Sequence, residues 1–437
     1  MRNVAVLWAL TLALTPEAVQ AKEVKRAELA GLDQLYPELD AFYIDLHQTP
    51  ELSLHEEKTA AKLADKLRRL GYEVTTGVGG TGVVAVMRNG SGKTLLVRAD
   101  MDALPVKEQT GLPYASKVTA KDDSGAVVPV MHACGHDVHM TSLIGAAALL
   151  AKAKDRWRGT LVLIGQPAEE KVSGAAAMLK DGLLTRFPKP DFAVAIHDAD
   201  DIPAGKIGYT PGYALANVDS VDITIFGRGG HGAYPHRTVD PIVIAARTIV
   251  ALQTIVAREK DPIEPAVVTV GSIHGGAKHN IIPDEVKLQL TVRSFKDEVR
   301  SRVLAAITRI AKAEAAAAGA PKEPTVTVGD SIAATYNDPA LTKRIAGVLS
   351  GALGRENVSE QPAKMGAEDF GAFGRAGVPA VQFMVGAVEP QKYEKAKATG
   401  APLPSLHSSE FAPDRERTIR TGVSALTLVA LDLLGKG

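Results

Sequence analysis

One cysteine, Cys134, occurs in 437 residues, so this chain has no intramolecular disulfide open to it. In an exported protein such a thiol needs another occupation or deep burial. Aromatic residues are scarce too, at 5%, which disfavours a surface built to stack nucleic-acid bases. Neither sign of charge dominates: Lys plus Arg number 50, Asp plus Glu number 50, and the formal net charge is zero. An electrostatic nucleic-acid binder needs a basic excess, so no nucleic-acid partner is expected. Past the first residues, no stretch approaches the roughly 20 apolar residues that cross a bilayer.

The one marked apolar stretch lies at the start. Arg2, the run from Val4 to Leu14, Thr15-Pro16 and then Ala18-Val19-Gln20-Ala21 read as a cleavable secretory signal over residues 1–21. The mature chain is expected to begin near Lys22 and to be periplasmic or secreted, with no membrane contact after cleavage. About 415 mature residues exceed what one compact core holds, so two domains are expected.

From Lys22 to about Gly212, short apolar strands (Gly82 to Met87, Thr94 to Val97, Thr160 to Ile164, Phe192 to Ile196) alternate with helices at Thr141 to Lys152 and Ser173 to Leu184. That alternation predicts an α/β layer structure with a largely buried sheet. From about Ala214 the pattern changes. Val221 to Phe226, Asp240 to Arg258, Ala266 to Ile273, Asp284 to Ser294, Lys296 to Ala318 and Thr325 to Val328 give the order βαββαβ, that of a ferredoxin-like α+β sandwich. The fold class is therefore an α/β catalytic domain carrying an inserted lid or dimerisation domain. The expected boundaries are a catalytic first part at 22–213, the inserted domain at 214–330 and a catalytic second part at 331–437. Hinges are expected near residues 211–212 and at Asp330.

The chemistry-bearing residues follow strands. Asp100 and Asp102 come after Leu95-Leu96-Val97, Glu169 and Glu170 after Val162-Leu163-Ile164, and His197 ends Val194-Ala195-Ile196. Ligands of open α/β sheets bind at the carboxyl ends of strands, so these segments converge on one crevice. In Met131-His132-Ala133-Cys134-Gly135-His136-Asp137-Val138-His139, a thiolate and an imidazole two residues apart suit a borderline-soft cation. The alternative for that run is a buried free cysteine beside ordinary histidines. Adjacent buried carboxylates such as Glu169-Glu170 repel unless a cation or a shared proton relieves them. Candidate ligands thus come from Cys134 and His136, Glu170, His197, and His407 in Leu406-His407-Ser408-Ser409. Two glycine-rich turns, Gly229 to His236 and Gly275 to Pro283, hold His231 and Asn280 where backbone can approach a ligand closely. Arg293 shares the polar face of its strand with Lys287 and Gln289, where a solvated face is the ordinary reading.

These residues together resemble the hippurate hydrolase and indole-acetyl-amino-acid hydrolase branch of the dinuclear aminoacylase and carboxypeptidase metalloenzymes. The matching motifs are Arg98 to Pro105, His132 to Asp137, Gln166 to Glu170, Gly230 to His236, Asn280 to Asp284, Met365 to Phe370 and Leu406 to Ser409, in the family's order. The resemblance implies that Cys134, His136, Glu170, His197 and His407 hold two divalent metal ions, with Glu169 as general base. It implies that His231 and Asn280 stabilise the oxyanion or position the substrate, and that Arg293 takes the substrate carboxylate. It also implies a homo-oligomer through the smaller domain. Carboxypeptidase relatives have His-x-Asp where this chain has Asp100-Met101-Asp102. Asp102 is accordingly read as orienting a ligating imidazole, and Asp100 is not assigned to the metal. Zn²⁺, Mn²⁺, Co²⁺ and Ni²⁺ all suit such donors.

The expected activity is cleavage of the amide bond of N-acyl amino acids, hippurate-like, to a carboxylic acid and a free amino acid. Glu169 takes the proton of a metal-activated water and delivers it to the leaving amine. Within the same class, a dipeptidase or carboxypeptidase choice of substrate is the alternative. From another class comes an exported two-domain solute-binding protein, which would have no need of Glu169 beside a ligand.

Overall fold

The computed structural model describes residues 29–436. The signal expected over 1–21 and the start expected near Lys22 lie outside the described residues. The first part of the chain supplies α1 (Leu32–Gln48), α2 (Glu57–Arg69), β1 (Glu73–Val78), β2 (Gly82–Asn89), β3 (Thr94–Asp100), a hairpin of β4 (Thr119–Lys121) and β5 (Val127–Pro129), and α3 (His136–Lys152). There follow β6 (Gly159–Gln166), α4 (Gly174–Lys180), α5 (Leu183–Arg186), β7 (Phe192–Pro203) and β8 (Ile207–Tyr209). After β9 (Gly212–Leu215) come β10 (Asn217–Phe226), β11 (Gly230–His231), α6 (Pro241–Thr254), β12 (Ala266–His274), β13 (Ile281–Ile282), β14 (Glu285–Ser294), α7 (Asp297–Ala317) and β15 (Thr325–Ile332). The chain returns through β16 (Thr335–Asn337) to α8 (Pro339–Leu353), β17 (Val358–Glu360), α9 (Gly371–Arg375), β18 (Ala380–Val388), α10 (Pro390–Thr399) and α11 (Arg415–Leu434).

Eight strands form one sheet in the order β1-β2-β6-β3-β7-β18-β8-β17. Its centre, β6-β3-β7-β18, is parallel. Burial explains why the central strands read as unbroken apolar runs: Leu95 to Asp100 are all buried, as expected when helices cover both faces of a parallel sheet. Alternate residues serve different cores. Val83, Ala85, Leu95 and Val97 pack with α1, α2, α3 and α11. Val84, Val86, Leu96 and Val162 pack with Met178, Leu183, Phe370 and Phe373 on the other face. Burying one such side chain is worth about 1.5–3 kcal/mol. Helix α3 is buried from His136 to Leu150 on every side, which only an interior helix tolerates. It begins at His136 rather than at Thr141, because Gly135 turns the chain in a left-handed conformation (φ 80°) immediately before it. The helix expected from Ser173 to Leu184 divides at Gly182 (φ 89°) for the same reason.

The second sheet, β12-β14-β10-β15, is antiparallel throughout. Numbered within its own unit the order is 2-3-1-4, that of the ferredoxin-like sandwich. Val221, Ile223 and Ile225 of β10 and Val286, Leu288 and Leu290 of β14 face α6 and α7, while intervening residues stay outside. Helix α6 with the turn that follows it, Pro241–Glu259, is long and apolar enough to cross a membrane by length and composition. This differs from the expectation that no stretch past the first residues is long and apolar enough. Ile244, Ala245, Thr248 and Leu252 pack it on its own sheet, while Ile242, Val243 and Val250 remain exposed. The two crossings between units lie side by side, because β9 pairs antiparallel with β16. Asp330, expected as a hinge, lies within the span of β15, at an irregularity where the pairing with β10 skips from Val328 to Ser331.

Candidate metal centre

Cys134 and His136 flank Gly135 at the start of α3, and their backbone placement follows from that one left-handed residue. His136 Nδ1 donates to the Asp102 carbonyl at 2.8 Å, so Nε2 is left as the free donor atom. It is buried and without a hydrogen-bond partner. His197, on β7, likewise donates from Nδ1 to the Asp198 carbonyl at 2.8 Å and turns Nε2 to within 3.6 Å of Cys134 Sγ. His407 Nε2 stands 3.3 Å from the same sulfur and 3.4 Å from Glu170 Oε1. His136 Nε2 is 3.9 Å from Glu170 Oε1 and 3.8 Å from Glu169 Oε2. The sheet thus brings Cys134, His136, Glu170, His197 and His407 into one cluster, with Glu169 beside it, as three overlapping sets of donors.

Tests of fit come from the donors themselves. Thiol, imidazole and carboxylate are the ligand types of borderline divalent cations, and two of the donor atoms, His136 Nε2 and Glu170 Oε1, are buried without partners. In a folded protein such orphaned acceptors call for an ion or a water. The residues fit a metal pair.

Backbone strain gathers at the same place. Four non-glycine residues have positive φ among the described residues, and three of them adjoin this cluster: Ala168 (49°) and Val172 (49°) bracket Glu169-Glu170, and His407 is itself at 65°. The fourth, Leu54 (71°), follows Ser53, whose hydroxyl donates to Asp102 Oδ2 at 2.6 Å. Left-handed non-glycine residues persist where surrounding contacts over-determine them, typically at sites of function. Asp102 is the hub of that restraint, since its other contact accepts the Glu170 amide at 2.9 Å. Asp102 therefore orients His136 through its backbone carbonyl and Glu170 through its carboxylate.

Beneath the cluster lies a charge network that the sequence reading did not assign. Arg98, with an exposure of 1%, donates to Asp100 (2.5 Å), Glu368 (2.6 and 3.2 Å), Asp369 (3.2 Å) and Gln166 (3.0 Å). His139 contacts Asp100 through Nδ1 at 2.5 Å and accepts the Asp198 amide at Nε2, 2.9 Å. The backbone N–H can only donate, so His139 carries its proton on Nδ1 and both ring nitrogens are used. Asp100 is engaged by Arg98 and His139, yet its Oδ2 also lies 3.6 Å from His136 Nε2 and it belongs to two further groups able to hold an ion, with His136 and His139 and with His197 and Glu368. The signal for Glu368 and Asp369 was available: a second adjacent acid pair, like Glu169-Glu170, in one of the matched motifs.

Electrostatics follow from burial and crowding. Burial, then Glu368 and Glu170, push the Glu169 carboxyl well above its ordinary range. Burial, then Glu170 and Glu169, likewise push up the Cys134 thiol. Burial opposes ionisation of Asp100, yet Arg98, His136 and His139 hold it well below the usual carboxylate range. Burial also opposes a charged His136, but Asp100 and Asp102 lift it to about 10. Acceptors crowded enough to retain protons are ones a divalent cation discharges, since binding requires thiolate, carboxylate and neutral imidazole.

A cleft of about 500 Å³ opens over the cluster, lined by Cys134, Glu169, Glu170, His197 and His407 and walled in part by Leu215, Val218 and Met384. Arg293 reaches it from β14, donating to the Met365 carbonyl at 2.8 Å. His231 and Asn280 are not brought there. Both are exposed on the small domain, where His231 Nδ1 accepts the Ala233 amide and the Asn280 carbonyl accepts the Gly232 amide. The local β11-β13 ribbon fixes them to each other rather than to the cleft.

Comparison with known proteins agrees with this geometry. Residues 96–410 match the peptidase family M20/M25/M40. A thermostable carboxypeptidase 2 of Saccharolobus solfataricus is 38% identical over 395 residues, covering 90% of this chain and 94% of that one. A hippurate hydrolase of Campylobacter jejuni is 39% identical over 344 residues, covering 78% and 85%. The solved structure of a dinuclear metal-binding peptidase of Bacillus subtilis superposes with a TM-score of 0.74 at 29% identity, covering 92% of this chain and 99% of that one.

Proposed function

The chain belongs to peptidase family M20/M25/M40, a hydrolase family, and from that premise we propose that it is an exported amidohydrolase cleaving N-acyl amino acids to a carboxylic acid and a free amino acid. The observation that carries this is the convergence of Cys134, His136, Glu170, His197 and His407 with a second glutamate, Glu169, on one cleft. Two divalent cations held by those five residues would supply Lewis acidity, making a water acidic near neutral pH and polarising the scissile carbonyl. Glu169 accepts the water's proton and passes it to the leaving amine. Arg293, at the cleft wall, holds the substrate carboxylate by charge-assisted hydrogen bonds. Asp102 keeps His136 and Glu170 oriented throughout.

His231 and Asn280 serve the carbonyl oxygen only after the small domain moves or a second copy approaches. The exposed Ile242, Val243 and Val250 of α6 support a homo-oligomer. Export is supported by the character of residues 1–21 alone. A dipeptidase or carboxypeptidase preference is the second reading, supported by the carboxypeptidase relative. Release of amino acid from a panel of N-acyl amino acids and dipeptides, with metal and with chelator, tests the proposal. Chelator-sensitive cleavage of benzoyl- or acetyl-amino acids ahead of dipeptides is expected. Preference for dipeptides would favour the second reading, and turnover indifferent to chelator would sink the metal mechanism.

A further inference from the structure

Asp198 is 1% exposed, and neither oxygen of its carboxylate has a hydrogen-bond partner. Its position makes this notable. It follows His197 on β7, and its carboxylate lies directly against Gly135: a Cβ added at Gly135 would stand 2.4 Å from Asp198 Oδ2 and 2.9 Å from Cγ. The group therefore sits beneath the single residue that joins Cys134 to His136. The nearest cationic candidate is His139, whose Nε2 is 3.7 Å from Asp198 Oδ1. That nitrogen already accepts the Asp198 amide while Nδ1 serves Asp100, so it has no proton to offer. An ionised carboxylate buried without donors carries a large desolvation cost unless positive charge compensates it. Beyond the imidazole of His136 in the same cluster, the positive charge that would compensate it is that of cations held by Cys134, His136 and His197.

We infer that Asp198 is a charge-compensating residue of the metal centre: without binding metal itself, it strengthens metal binding through its field, and it lowers the stability of the metal-free chain. The inference rests on the proposed ligand set. Charged groups just outside the ligands commonly alter metal affinity tenfold or more, and this one follows His197 in the chain and lies against the Gly135 that joins Cys134 to His136.

The test compares the parent with Asp198→Asn, which keeps the shape and removes the charge. Zn²⁺ stoichiometry and affinity are measured by competition with a chromophoric chelator on the full metal-stripped chain, and thermal unfolding is followed with and without Zn²⁺. The expected result is two ions per parent chain and at least tenfold weaker binding by Asp198→Asn. The metal-free variant should melt no lower than the metal-free parent, so the rise in Tm on adding Zn²⁺ is smaller. Asp198→Ser, which loses the charge and leaves more room, is expected to behave alike and serves if the amide does not fold. Asp201→Asn removes an exposed carboxylate of the same strand, ion-paired to Lys364, and should bind within about twofold of the parent. Unchanged affinity in both Asp198 variants, or an equal loss in Asp201→Asn, overturns the inference while leaving the ligand set intact. A parent chain binding fewer than two ions overturns both.

Discussion

Arg98, Asp100, His136, His139 and Glu368 on the cleft floor are each no more than 1% exposed, whereas His231 and Asn280 in the small domain are exposed. On the floor, each polar group is fixed by neighbours that are themselves fixed: Arg98 by Glu368 and Asp100, Asp100 by His139, His139 by the backbone of β7. In the small domain, His231 is held only by its own turn. A site that must hold cations at close spacing needs the first condition, because a displacement of about 1 Å in a ligand or reacting group is costly. A donor that meets the substrate after closure needs the second, since its local contacts are cheap to leave. Arg293 stands between the two, part-buried and already touching the Met365 carbonyl across the units.

The largest effect is expected from breaking the floor. Arg98→Met removes the guanidinium shared by Asp100, Glu368 and Asp369 and leaves buried carboxylates short of compensating charge, a loss of about 3–5 kcal/mol by analogy with other buried pairs. Urea unfolding measures it. A loss under about 1 kcal/mol would place that network on a par with surface ion pairs and erase the contrast. Next is His231→Ala, which should lower kcat by about 10²- to 10³-fold, as for loss of one oxyanion donor, with metal content and Tm unchanged. A metal-replete variant within a few-fold of the parent would assign His231 to its turn alone.

A smaller effect concerns His47, behind α3. Burial opposes its charge, but hydrogen bonds to Asp137 (2.7 Å) and Glu108 (3.2 Å) lift it from 6.5 to about 9. A base whose folded pKa is raised contributes stability that is complete below about 6.5 and is lost as pH rises through about 9. The contribution is about 3 kcal/mol. Unfolding free energies between pH 6 and 10 should fall more steeply for the parent than for His47→Gln. Parallel curves would mean that this pair adds nothing to the rigidity of the floor.

The division between legible and illegible residues follows the same line. The candidate ligands were readable because thiol, imidazole and paired acids are chemically distinctive, and because Glu170 and His197 lie at the ends of apolar runs that announce strands. The ferredoxin-like order was readable from alternation in β10 and β14. Arg98, His139, Asp198 and Glu368 were not assigned, since a local pattern does not tell a solvated charge from a buried one. The Arg98–Glu368 pair joins residues 270 apart. The start of α3 was placed five residues late, because Gly135 acts through backbone conformation and leaves no mark on periodicity. At Asp330 the composition suits a turn, and the structure has there an irregularity in the β10–β15 pairing, with β15 continuing through Ser331 and Ile332. The separation of His231 and Asn280 from the cleft depends on domain placement, which motif order does not encode.

The central claim is that five residues hold metal while a sixth does the proton transfer, and Glu169→Gln addresses it most directly. Metal content and kcat are measured on one preparation. The account predicts two ions per chain, unchanged from the parent, and a fall in kcat of about 10²- to 10⁴-fold, the usual cost of removing a general base. Loss of metal with turnover retained would contradict it and exchange the roles of Glu169 and Glu170.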